Sequence, residues 1–470
     1  MEAIQVCGDT TSRAVFYAGA TVLISLAGLA LTRDALFIGL ALGAIIVVLF
    51  AIVGSLTLLP ALLSLLDHRV NWLRIPGLGR PSRGGGVWGA ISNAVLARPW
   101  VFATVTLAGL LALSVPLFSL HIGRISIQNF IDWESAAKEG GSIGVMATGI
   151  ELLEEHFTLG ESGPLVVVVD PGVNGNVDTT ATQDSVAALL DAVGQDEAFA
   201  PPFDTQTNQE GNLLRITVPL AHAEDEDLSE EAVRRLRDLA PKAFQGTGVE
   251  VFVAGGTAGM VDFRENMKAT GPMVFAFVLG FAFLVFLVMF RSVVIPVKAI
   301  VLNLISVGAA YGVLVLVFQE GVGESLLGFK AIGRIDFWIP MFLFAILFGL
   351  SMDYHMLLLN RIKEAYDAGR TNEESVSMGI KATAPVITSA ALIMVLVFGA
   401  FATSRVLGFK MIGVGLAVAI LIDATIIRAV LLPASMKLLG DWNWDLPSWL
   451  EWLPRISAEG AHKAQASADD

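Results

Sequence analysis

Cysteine is all but missing from this chain. Cys7 stands alone among 470 residues, which excludes an internal disulfide and any thiolate metal cluster. Charge is scarce too: Asp, Glu, Lys and Arg make up 16% of the sequence against 54% hydrophobic residues, a balance that points to lipid rather than water as the main solvent. His121, His156 and His222 are scattered without metal-ligand spacing, and the serines near them form no triad. Gly255-Gly256 lacks the G-K-[ST] ending of a phosphate loop and, on the sequence, a helix to cap, so nucleotide binding is not expected. Residues 1–13 hold Glu2, Asp9 and a single Arg, unlike a secretory leader. We expect no enzyme here, and no cofactor or metal.

The charge that is present is unevenly placed. Between His121 and Thr270 there are 25 acidic and 9 basic residues, a balance of −16, whereas the whole chain carries −14. One block is therefore an acidic, water-exposed domain, and the remainder is close to neutral. So acidic a surface argues against nucleic acid as a partner. Eight apolar runs qualify as membrane helices, near 14–31, 37–60, 100–120, 272–290, 294–318, 338–358, 384–403 and 410–433. Residues 67–99 hold Arg69, Arg74, Arg80, Arg83 and Arg98 against Asp67 alone, and residues 359–381 hold Arg361, Lys363, Arg370 and Lys381. The positive-inside rule, which counts basic residues alone, places both inside although Glu364, Asp367, Glu373 and Glu374 offset the four of the second loop, with 121–270 outside and both termini cytoplasmic.

The organisation that follows has six parts. A helix pair (1–66), a cytoplasmic linker (67–99) and a single span (100–120) lead to the outside domain (121–270). A five-helix bundle (271–438) and a cytoplasmic tail (439–470) complete it. Within the outside domain Leu165–Val169, Leu213–Leu220 and Gly248–Ala254 read as strands, and 177–194 and 228–243 as helices, the second capped by Ser229. That order suits the split βαβ pattern of ferredoxin-like folds. The fold class is thus a multi-pass α-helical membrane protein of about eight spans with one external α+β domain.

The run Trp338–Arg361 is long enough to cross a bilayer and holds one carboxylate, Asp353. An ionised Asp at membrane depth costs about 2.5–3.5 kcal/mol even on the lenient insertion scale, so it is neutral, paired or there for a function. Two readings stand: a proton relay, or a satisfied interhelical hydrogen bond. Tyr354 follows it and can donate to a relay group on a neighbouring helix. His355 titrates in a useful range as a residue type, but sits two positions from Asp353 and faces elsewhere on the helix. Asp423 lies at a similar depth in the last span, as a coupling group or a structural polar contact, and Arg428 is placed to snorkel toward the cytoplasm.

The first two spans resemble the last two. Ile38-Gly39-Leu-Ala-Leu42 matches Ile412-Gly413-Val-Gly-Leu416, and Leu58-Leu-Pro60-Ala61 matches Leu431-Leu-Pro433-Ala434. Such a repeat in one orientation is common in transporters. Phe50 occupies the place of Asp423 in the first copy, so the repeat itself does not require a carboxylate there. Four further motifs occur in order: Gly255-Gly-Thr-Ala-Gly-Met-Val-Asp262-Phe, Phe290-Arg-Ser-Val-Val-Ile-Pro296, Phe348-Gly-Leu-Ser-Met-Asp353-Tyr354 and Ile422-Asp423-Ala-Thr-Ile-Ile-Arg428.

Together these resemble the MmpL branch of the resistance–nodulation–division exporters across nearly the whole chain. The resemblance implies twelve spans in two halves, each with an external porter domain. This chain would then hold spans five to twelve and the second porter domain, lacking the first four spans and the first porter domain. It further implies export of lipids or other hydrophobic compounds across the cell membrane, driven by protons. Asp353 and Tyr354 would form the relay pair of the second half, while His355 stands where the family commonly has an acidic residue. A lipid-like substrate and the membrane are the expected partners, together with a chain supplying the first half or further copies of this one. The alternatives are a non-transporting or split-gene subunit, and a protein-export motor of related architecture.

Overall fold

The computed structural model describes residues 15–66 (17 and 18 apart), 86–123 and 163–453 (173, 174 and 223–226 apart), with four single positions between 124 and 162. Cys7, residues 67–85 of the expected linker 67–99, most of the first part of the acidic domain and the tail beyond 453 lie outside the described residues.

Seven described helices are long and apolar enough to cross a membrane. They are α2 (Ala35–Leu66), α4 (Pro99–Ser119), α7 (Gly256–Phe290), α8 (Val294–Gln319), α9 (Ile339–Asp367), α10 (Asn372–Phe401) and α11 (Leu407–Trp444). The eighth expected span corresponds to α1, a shorter apolar helix over Gly19–Thr32. Between α2 and α4 the stretch expected as linker contains a further helix, α3 (Gly86–Ala97), which packs on α10 and α11.

Enclosure divides the bundle. α9 and α11 are the most deeply buried spans, and Phe286, Phe318, Phe344 and Phe348 fill the space around them. α2, α4 and α10 instead turn Leu42, Phe50, Val105 and Leu396 outward, as helices bathed in lipid do. Small residues permit the close approaches. A Cβ built at Gly312 of α8 would fall on the carbonyl oxygen of Leu113 in α4, and one at Gly379 of α10 on the side chain of Ile362 in α9. Gly312→Val is therefore expected to part α4 from α8 at a cost of about 1–3 kcal/mol or more. The measurement is thermal unfolding of the detergent-solubilised chain, with Gly54→Val as control because nothing lies within 4 Å of that site.

The described part of the acidic domain is a four-stranded antiparallel sheet with two helices. Its elements are β2 (Leu165–Asp170), α5 (Thr180–Gly194), β3 (Asp204–Thr207), β4 (Leu214–Val218), α6 (Asp227–Ala243) and β5 (Glu250–Ala254). The spatial order β3-β4-β2-β5 is the ferredoxin-like topology. Leu165, Val167 and Val169 alternate into a core shared with Leu189 of α5 and Leu236 of α6. Two expectations need correcting. β3 is an additional strand, invisible by alternation because Asp204-Thr-Gln-Thr207 is exposed at every position on the sheet edge. α6 starts two residues before Ser229, which is buried within the helix rather than capping it.

Gly255, at φ 132°, turns the chain from β5 directly into α7. The Gly-Gly pair does open a helix, contrary to the sequence expectation, although the G-K-[ST] ending is still missing. α7 has 35 residues, about 52 Å at 1.5 Å per residue, so roughly 20 Å of it projects beyond a 30 Å hydrocarbon core. That stem braces the domain: Arg237 of α6 grips Asp262 through two bonds of 2.5 and 2.8 Å, and Arg264 binds the buried Glu230 at 2.8 Å. Arg264 also donates to the carbonyl of Ile122 at 3.2 Å. Ile122 lies in β1 (Ile122–Gly123), which pairs in parallel with β6 (Ile335–Asp336) just ahead of α9.

Candidate functional site: a polar cluster inside the bundle

α9 carries Ser351, Asp353, Tyr354 and His355 through the most enclosed part of the bundle. Ser351, Tyr354 and His355 share a face at i, i+3 and i+4, whereas Asp353 sits to one side. The shared face meets α11, where the chain departs from α-helical geometry: Ile422–Leu431 is a π-helical stretch. In an α-helix, residues five apart diverge by roughly 140°. A π turn hydrogen-bonds from i to i+5 and brings them together. Asp423 and Arg428 are five apart.

Arg428 accordingly turns inward. Its Nη2 donates to Asp423 Oδ2 at 2.6 Å and to the Ser351 carbonyl at 2.7 Å, and it is only 2% exposed. Snorkelling toward the cytoplasm, the sequence expectation, is thereby corrected. Ser351 Oγ also donates to Asp423 Oδ2, at 2.9 Å, and the guanidinium lies 4.5 Å from the centroid of the Tyr354 ring. Asp423, Arg428 and Tyr354 thus form one cluster, while Phe50, the counterpart of Asp423 in the first repeat, faces outward. Asn303 and Ser306 of α8 line a cavity together with Ser351, Tyr354 and Asp423.

Asp353 looks the other way, toward α1. It is half-buried and its Oδ1 accepts a 3.3 Å bond from Thr21 Oγ1. Ser25, one turn on, donates to the Ala345 carbonyl at 2.7 Å, and Gly349 lets the backbone of Val22 approach α9. His355 is buried against Phe286 and Asn303, with Nε2 unpartnered among the described residues. Asp423 Oδ1 and Arg428 Nε and Nη1 are unpartnered in the same sense. Thr21, Ser351, Asn303 and Ser306 escaped the sequence reading because a lone hydroxyl or amide in an apolar run carries no distinctive signal.

A family-wide sequence profile, described as the MMPL family, matches residues 1–102 and 144–459. The chain belongs to the MMPL family. An MMPL relative from Mycolicibacterium smegmatis, named as the mycolic acid-containing lipids exporter MmpL11, is 33% identical over 97% of this chain and 47% of its own length. MmpL11 of Mycobacterium tuberculosis strain H37Rv, named as a heme uptake protein, is 34% identical over 96% of this chain and 45% of its own. The chain therefore spans about half the length of these curated relatives. Among solved structures, SecDF in its super-membrane-facing form covers 93% of this chain and 49% of its own, at 15% identity and a TM-score of 0.47.

One consequence concerns Thr21. A hydrogen bond of this kind contributes about 1 kcal/mol, so Thr21→Val is expected to alter the carboxyl band of Asp353 without unfolding the bundle. Infrared difference titration of the carboxyl band checks it, and a band identical in both proteins would contradict the contact.

Proposed function

We propose that this chain carries out proton-driven export of lipids or other hydrophobic compounds across the cell membrane, as an MMPL transporter or its C-terminal part, with its cargo passing outward by way of the α+β domain. The observation that carries the reading is the set of ionisable groups enclosed between α9, α11 and α1 in a chain of the MMPL family. Such groups are expensive at membrane depth and mark ion paths. In this scheme Asp353 is the carboxyl that loads and releases the proton. Its charge state changes how α9 sits against α1, through Thr21. Tyr354 and the Asp423–Arg428 pair form the polar surroundings on the next face, and His355 is a packing residue. The cargo class is that of the M. smegmatis relative, a lipid exporter by name.

A second reading is a split transporter, in which another chain supplies the first half. Co-purification separates the two, since a half brings its partner along. The transport reading is tested in vesicles with an imposed pH gradient and a fluorescent fatty-acyl probe. Efflux that a protonophore abolishes is the expected result. Efflux indifferent to the gradient would remove the proton coupling, and hemin moved in preference to the lipid probe would change the cargo.

A further inference from the structure

Besides the cavity beside Asp423, a second one reaches the Arg428 member of the ion pair. It is lined by Leu358 of α9, Thr383 and Thr388 of α10, Arg428 of α11 and, from outside these three helices, Trp88 of α3. Ala384, Ala424 and Ala429 leave the space open. Arg428 is the polar end of this cavity, and it holds two donors, Nε and Nη1, with no partner among the described residues. A buried guanidinium does not leave donors unmade without cost, about 1–3 kcal/mol each or more for a charged group. Thr383 and Thr388 donate to the Gly379 and Ala384 carbonyls at 2.9 and 2.7 Å, so their oxygens remain free to accept. Two donors and two acceptors around one small cavity are the partners that an internal water requires.

α3 packs over one side of this cavity through Trp88. Thr383 lies 11 residues into α10 from Asn372, about 16 Å along the helix, and Trp88 is packed at that depth. The other end of α3 sits at the start of α10: the Leu96 carbonyl accepts from Lys437 Nζ at 2.6 Å, and the same ammonium pairs with Glu373 at 2.7 Å. α3 thus runs along α10 and α11 from the Glu373–Lys437 end, with the half-buried Trp88 against the cavity. Ser92, one turn from Trp88 on the same face, is fully buried and its hydroxyl is also unpartnered among the described residues.

We propose that Trp88 is the stopper of a narrow water path that runs from the Glu373–Lys437 end of the bundle, past Thr383 and Thr388, to Arg428. The ion pair then stands as the partition between two hydrated cavities, one touching Arg428 and the other touching Asp423. Trp88 sets whether the outer one is continuous with bulk water. This rests on the transport reading only for its purpose, which is to hydrate the ion pair beside α9 on that side. Water access itself is measurable without transport.

The experiment uses the full chain in membrane vesicles with Cys7→Ser, then single cysteines at Thr383 or Thr388. Leu416→Cys, in the dry interior, is the control. Silver ion, which follows narrow water paths, is applied from the α3 side, and the thiols left unreacted are counted with a maleimide dye after denaturation. The expected result is reaction at 383 and 388 at least tenfold faster than at 416, and a further tenfold acceleration in Trp88→Ala. Trp88→Leu, which keeps an apolar plug of smaller section, should give an intermediate rate and serves where the alanine variant inserts poorly. Rates at 383 and 388 equal to that at 416 would overturn the path. Fast rates unchanged by either Trp88 variant would overturn the stopper. Neither result depends on whether the chain exports anything, so a failed export assay leaves this test decisive.

Discussion

Arg428→Leu is expected to lose most of the folded protein from the membrane. Asp423 is only 6% exposed and its Oδ2 is held by Arg428 and Ser351, so removing the guanidinium strands a carboxylate at membrane depth. Breaking a buried pair in this way costs about 3–5 kcal/mol, a large share of a total stability of about 5–15 kcal/mol. The same physics predicts rescue. Asp423→Asn on top of Arg428→Leu removes the stranded charge while keeping an acceptor for Ser351, and should restore most of the loss. Thermal unfolding of the solubilised variants reads the difference. A single variant as stable as the parent, or a double variant worse than the single, would contradict the pair as a structural unit.

Asp353→Asn is expected to do the reverse, leaving the fold intact and abolishing proton-coupled transport. Asparagine is nearly isosteric and its carbonyl still accepts from Thr21, so α1 keeps its seat on α9. What it cannot do is gain and lose a proton in the working pH range. Export in the variant should fall to the level of empty vesicles while the unfolding temperature stays within a degree or two of the parent, as expected for a change of a few tenths of a kcal/mol. The contrast with Arg428→Leu separates a residue that works from one that holds. Loss of stability with Asp353→Asn, at unchanged export, would exchange their roles.

How much of this was legible beforehand depends on the residue. Asp353 stands out because a carboxylate interrupts an apolar run, and no structure is needed to see it. The spans and the acidic domain were legible for the same reason, being written in composition. The Asp423–Arg428 pair was not, because at α-helical pitch the two diverge, and only the π-helical stretch from Ile422 to Leu431 brings them together. β3 was hidden because an edge strand with four exposed polar residues has no alternation to detect. α3 lay behind a Gly, Pro and Arg-rich approach that reads as linker. Thr21 and Ser351 are ordinary small residues by sequence, and become site residues only when α1 and α11 are placed against α9.

Protonation of Asp353 is proposed to drive cargo. The most direct measurement is proton uptake by vesicles carrying the chain, together with any partner half that co-purifies, on addition of a lipid-like cargo, with Asp353→Asn beside it. Cargo-dependent uptake in the parent that vanishes in the asparagine variant is the expected result. Uptake of the same size in both would contradict the account.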